Sequence, residues 1–225
     1  MPTTKPDMTT QALNPTEAAN TPSGSSESAI LASAERLFSE QGYDAISMSA
    51  IAKDANTSKA NIYHHFKSKH HLYLAVLDNA AAYSAELLDR LEDEPGTFES
   101  KLRAFASGQL NSILTHENRS QLLLREALSK GSERGKDVIK HAVGESFSRL
   151  VEMISKGQQQ GEFQHGPDPA LAAFLVVSSN VFFFQSREVM QHLPDINFTE
   201  NADEFSADMM DLLFKGVLNT RDQQS

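Results

Sequence analysis

Residues 47–72, SMSAIAKDANTSKANIYHHFKSKHHL, constrain the fold more than any other stretch of the chain. They read as two short helices meeting at a sharp corner, followed by the start of a longer helix. Ser47 is placed to cap the first, because its hydroxyl can accept a hydrogen bond from a free backbone N–H. Met48, Ile51, Ala52 and Ala55 then fall on one side at helical spacing. The two alanines are small where a second helix has to come close. Asn56 stands at the corner, and asparagine is one of the few residues besides glycine that tolerate a left-handed backbone there. Thr57 or Ser58 caps the second helix, which runs to about residue 65 with Ile62 and Phe66 pointing inward.

The other face of that second helix carries Lys59, Asn61, Tyr63 and His64, all hydrogen-bond donors of the kind that meet phosphates and base edges in a major groove. Lys67 and Lys69 follow, with Ser68 placed to cap the third helix. With Lys53, Lys59, Lys67 and Lys69 against Asp54, the stretch carries +3 in a chain of net charge −10, leaving −13 for the remainder. A cationic island on an anionic protein suits a polyanion held through one surface, and argues against a general nucleic-acid coat.

From roughly residue 29 to 76 the chain resembles the TetR/AcrR family of bacterial transcriptional regulators. The marks are AERLFSEQGYDAISM, then IAKDANTSKANIYHHFKSK, then HLYLAV, with Tyr63, His65, Phe66, Ser68 and Lys69 falling on the family pattern. Asn56 stands where glycine is usual, Thr57 where a small apolar residue is usual, and His70 where an acid is usual. The resemblance implies that Lys59, Asn61 and His64 read bases and that Tyr63 and Lys69 contact phosphates. Ser47, Thr57 and Ser58 add donors at helix starts, where the dipole favours an anion. His65 and Phe66 are expected to pack inside the small domain.

The remainder reads as helices, and no period-two strand pattern is present. A helix over 27–41 ends at Gly42, and one over 68–92 ends at Glu94-Pro95-Gly96. The latter links the two halves of the molecule. Further helices are expected over 98–114, 119–128, 137–160, from 169 to about 192, and after Asn201. Residues 129–136 are expected to form a polar loop. Asp168-Pro169 is a strong helix start. The expected fold is all-α with about nine helices. It comprises a disordered tail (1–26), a helix-turn-helix domain (27–72) and a larger ligand-binding and dimerisation domain (73–225). The tail is polar and contains one basic residue, Lys5, so an arm reaching the minor groove is the lesser reading.

The helix after Asp168 is apolar nearly all round, which requires partners on several sides. Either it is the central helix of a monomeric bundle, or, as the resemblance implies, the last two helices pair with those of a second copy. Phe174, Val177, Val181, Phe184, Met209 and Leu213 are the interface residues expected for that homodimer. Phe105, Phe147, Met153 and Phe183 are expected to line a cavity for an unidentified small-molecule effector. Should one of Arg103, Arg125, Glu126, Arg149 and Arg187 be buried, it is the expected ligand anchor.

There is no cysteine, which excludes disulfides and cysteine-ligated zinc. The histidine pairs 64–65 and 70–71 point about 100° apart on a helix, so neither chelates alone, and no metal or cofactor is expected. No hydrophobic segment follows Met1, and the longest apolar run falls short of the ~20 residues that span a bilayer. A cytoplasmic protein without a membrane segment is expected. A helical enzyme and an interaction module that has lost DNA binding are the alternatives. No glycine-rich phosphate loop or nucleophile elbow supports the enzyme. The reading is therefore a ligand-responsive regulator, usually a repressor in this family, which binds a palindromic double-stranded DNA operator as a dimer and is released by a small molecule.

Overall fold

Short polar side chains start most of the helices, each accepting a backbone N–H that the first turn leaves unpaired. The structure, a computed structural model, describes residues 23–128 and 143–217. Among them are nine helices and no strand: α1 (Ser23–Gln41), α2 (Met48–Asp54), α3 (Lys59–His65), α4 (Lys69–Asp93), α5 (Phe98–Thr115), α6 (Glu117–Leu128), α7 (Gly144–Gln159), α8 (Pro169–Met190) and α9 (Ala202–Val217). Ser47 caps α2, accepting from the Ala50 N–H at 3.1 Å. Ser58 caps α3 and Ser68 caps α4, both at 3.0 Å. Asp168 caps α8 at 2.8 Å, with Pro169 in the first turn. Asn201 accepts from Asp203 and Glu204 ahead of α9.

Corners fall where residue chemistry allows them. Gly42 ends α1 at φ 84°, a left-handed conformation that costs glycine nothing. Asn56 takes φ 49° at the α2–α3 corner. Arg36 of α1 bridges Glu40 and Asp54, fastening α1 to α2. Its guanidinium is raised above its ordinary pKa, first by the hydrogen bond to Glu40 and then by the charge of Asp54.

Two expectations about the N-terminal side are corrected. Helix α1 begins four residues before residue 27, so 23–26 belong to a helix and not to a tail; residues 1–22 lie outside the described residues. The boundary expected after residue 72 falls inside one continuous core. That core joins Ile30, Phe38, Ile51, Ile62 and Phe66 to Tyr73, Val76 and Leu77 of α4, and takes in Leu122 of α6, which is 0% exposed. A second core follows along α4 from Leu87, with Leu102 and Phe105 of α5, Leu150 and Met153 of α7, Val176 of α8 and Phe214 of α9. Helix α4, 25 residues and ~37 Å long, thus contributes one end to each core. The expected 129–136 loop and the start of the 137–160 helix also lie outside the described residues.

Helix α8 has 22 residues, ~33 Å, and is long and apolar enough to cross a membrane by length and composition. This corrects the expectation that its apolar run is too short. It packs instead against α5, α7 and α9. Its buried face carries Ala172, Ala173, Val176, Asn180 and Phe183. Asn180 is fully buried and donates to the Ala106 carbonyl at 2.9 Å and to Gln109 Oε1 at 3.0 Å.

Candidate nucleic-acid interface and cavity

Helix α3 is held from beneath by Ile62 and Phe66 in the first core, which turns Lys59, Tyr63 and His64 outward. Tyr63 is 47% exposed, although burying its ring would be favourable. Ser47 and Ser58 are exposed at the N-termini of α2 and α3, and each hydroxyl, having accepted its capping N–H, retains a hydrogen to donate. Lys69 lies half-exposed in the first turn of α4, its Nζ 4.3 Å from the centre of the Tyr43 ring, an attraction that fixes the position of the cation. Lys67 is exposed beside it. His65 is turned back, 3.7 Å from Glu27 of α1. Among the described residues no cluster of three or more His, Asp or Glu is placed to hold a metal ion.

Asn61 departs from its expected role. It is half-buried, and its amide nitrogen donates to Ser26 Oγ at 2.7 Å and to Thr57 Oγ1 at 2.9 Å. Both hydrogens are committed within the protein, so Asn61 ties α3 to the first turns of α1, and Thr57, also half-buried, serves as its acceptor. Asn61→Ala is expected to destabilise the protein by about 1–2 kcal/mol, the worth of two such bonds, while leaving the preferred DNA sequence unchanged. Urea unfolding and a binding-site selection measure the two effects; a changed sequence preference at full stability would restore the base-reading role.

Between α4, α5, α6, α7 and α8 lies a cavity of about 230 Å³. Phe105 and Phe147 line it as expected. Met153 does not, being buried in the second core, and Phe183 turns away to stack on Phe205 of α9 at 4.4 Å between ring centres. Three residues expected at an interface, Val177, Val181 and Phe184, line the cavity. Met209 and Leu213 are half-buried against the second core. Of the six expected interface residues, Phe174 is the one on the exposed stripe of α8, which it shares with Leu171, Leu175, Phe182 and Val189. Leu212 of α9 is also exposed. The reason for these exchanges is angular: adjacent residues on a helix point about 100° apart, and an almost uniformly apolar helix carries no internal mark of its phase.

The arginines singled out in the sequence mostly clamp helices. Arg103 pairs with Glu99 and Asp211, Arg149 with Asp89 and Glu92, and Arg187 with Glu117. Glu126 is the buried member of that set, but it accepts a hydrogen bond from the Tyr73 hydroxyl and does not reach the cavity. The two faces of α6 do different work. One face meets the small N-terminal body through Arg119–Glu35 at 3.3 Å, Leu122 in the first core, Arg125 donating to the Phe38 carbonyl at 3.3 Å, and Glu126–Tyr73. The other presents Ser120, Leu123, Leu124 and Ala127 to the cavity, and Arg119, at the edge between the two faces, lines it too. The i, i+3, i+7 spacing of 119, 122 and 126 was the available signal.

A capped two-helix corner with an outward cationic second helix, set on a larger helical body with a cavity between its helices, defines a class: DNA-binding transcriptional regulators that respond to ligands. Residues 30–76 match the family described as bacterial regulatory proteins, tetR family, and residues 99–212 match the tetracyclin repressor-like C-terminal domain. The HTH-type transcriptional repressor NemR of Escherichia coli K12 is 24% identical over 137 residues, 60% of this chain and 68% of that protein. The HTH-type transcriptional repressor NicS of Pseudomonas putida is 26% identical over 159 residues, 70% of this chain and 74% of that one. In the fold, the transcriptional regulator FadR of Bacillus subtilis, solved in complex with stearoyl-CoA, superposes with a TM-score of 0.68 at 19% identity, covering 85% of this chain and 99% of its own. The chain belongs to the TetR family and is a ligand-responsive DNA-binding transcriptional regulator.

Proposed function

We propose that the protein is a repressor that binds a palindromic operator as a homodimer and leaves it when a small molecule fills the cavity. One observation carries this reading: α6 walls the cavity with one face and is bolted to the DNA-facing body with the other. A ligand that displaces α6 or α4 by a fraction of a turn would tilt α3. Two α3 helices must sit roughly 34–36 Å apart to enter successive major grooves on one side of the duplex, so a tilt in each weakens both contacts. Ligand and DNA are then linked, each lowering the other's affinity by the same factor.

The two-fold partner is assigned to the exposed stripe of α8 around Phe174 and Phe182, continued by Leu212 of α9. A contiguous apolar face of this kind is costly to leave in water. Phosphate contacts are assigned to Tyr63, Lys69 and the hydroxyls of Ser47 and Ser58, and base contacts to Lys59 and His64. Among the described residues the cavity lining holds no pair of acidic and basic side chains set for proton transfer, which favours binding over catalysis. A regulator of this kind works in the cytoplasm, where its DNA is.

The test is a footprint on the DNA upstream of the protein's own gene. Protection of an inverted repeat, lost in stretches of unrelated sequence at the same salt, is the expected result. Equal affinity for both, or none for either, would overturn the reading.

A further inference from the structure

The effector cavity proposed above has an uneven chemistry. Most of its wall is apolar, with Phe105, Phe147, Leu150, Val177, Val181 and Phe184 on three helices. Among the described residues Arg119 is the one charged side chain on that wall, and no carboxylate lines it. A guanidinium that is the single charge on a mostly apolar wall favours an anion and disfavours a cation. Its existing partner is a weak one. The contact runs from Nε to Glu35 Oε2 at 3.3 Å, against the ~2.7–2.9 Å of a strong charge-assisted bond. Its two terminal nitrogens make no hydrogen bond among the described residues. That leaves the half of the fork that grips a carboxylate through two parallel bonds.

We propose that the effector is an amphipathic carboxylate whose apolar chain fills the cavity and whose charge takes Arg119 away from Glu35. This rests on the reading of the cavity as the effector site, and adds to it both a ligand class and a switch. Glu35 lies on α1, in the DNA-facing body, and Arg119 on α6, in the cavity wall. Ligand and Glu35 compete for one guanidinium, so binding removes an ion pair at one end of the α1–α6 joint. Leu122, Arg125 and Glu126 remain as its other fastenings. The volume of about 230 Å³ lies below the ~300–1,000 Å³ usual for drug-sized ligands, which points to a short- or medium-chain acid.

The experiment is calorimetric titration of the full chain with octanoate, 1-octanol and octylammonium. Octanoate is expected to bind at least tenfold more tightly than the alcohol, with the amine weakest. Arg119→Gln should bring octanoate down to the alcohol's affinity and leave the alcohol within about twofold. Glu35→Gln, which removes the internal competitor, should tighten octanoate about threefold or more. The double variant Glu35→Gln/Arg119→Gln leaves no orphan charge in the joint and must show the same loss of preference, which guards against misfolding of the single variant. Equal binding of acid and alcohol by the wild type, tightest binding of the amine, or no binding of octanoate overturns the ligand class. The cavity itself is tested separately by Val181→Phe, which fills it. If octanol and octanoate still bind that variant as before, the effector-site reading fails, whatever their order of affinity.

Discussion

Glutamate at both Phe174 and Phe182 is expected to leave a folded protomer that no longer dimerises and no longer holds its operator. The two rings are 57% and 64% exposed in the single chain, so replacing them removes little from its own core. They share one stripe of α8 with Leu171, Leu175 and Val189, the spacing of a helix face made to meet another helix. Burying one phenylalanine contributes about 1.5–3 kcal/mol, and a two-fold interface buries each substituted ring twice. Even half of that sum, with four carboxylates brought together in its place, raises the dimer dissociation constant by more than about a hundredfold. Sedimentation equilibrium reads the change, and urea unfolding checks that the protomer is intact. Operator affinity should fall with it, because two half-sites then bind independently. A variant that remains dimeric at wild-type concentrations would move the interface to another surface.

The second large effect is expected on DNA alone. Lys59→Ala combined with Tyr63→Ala should weaken operator binding at least a hundredfold while changing protein stability by less than about 1 kcal/mol, since both side chains face solvent. Each dimer loses two lysines. If these neutralise phosphates, the slope of log affinity against log salt becomes shallower by about 2. If Lys59 instead donates to a guanine edge, the slope changes less and a binding-site selection loses discrimination at one position of each half-site, at about 1–3 kcal/mol for a wrong base. Both measurements belong on the same variant. Unchanged affinity would remove α3 from the interface and, with it, the function proposed for the chain.

Local chemistry was readable from the sequence. Ser47, Ser58, Ser68, Asp168 and Asn201 cap the helices they were expected to cap, because a cap and the N–H it accepts are two or three residues apart. Asn56 takes the left-handed corner for the same kind of reason: the strain is its own. The bond Asn61 makes to Ser26 was not readable, because that partner is not local. Ser26 lies 35 residues away, on a turn of α1 that composition had assigned to a tail. Lys59 and Asn61 look alike on a helical wheel as outward donors, and only the position of α1 separates them.

The C-terminal body was readable in kind and not in phase. Phe183 and Phe184 are the same residue type at adjacent positions, yet one stacks on α9 and the other faces the cavity. Val177 and Val181, expected at an interface, stand on the cavity wall. Nothing in their own chemistry distinguishes the two environments.

The order of residues was enough to determine the all-helical class, the capped helix starts, the cationic corner and its family, since each depends on contacts a turn apart or on charge that sums without coordinates. Only the packed chain decided which side of α8 is core, cavity or exposed stripe, that Leu122 of α6 closes the DNA-facing core, and that Arg119 stands between Glu35 and the cavity. Those outcomes depend on where helices distant in sequence come to rest against each other. Hydrophobic burial rewards area and not direction, so it drives the helices together without specifying which apolar face meets which neighbour.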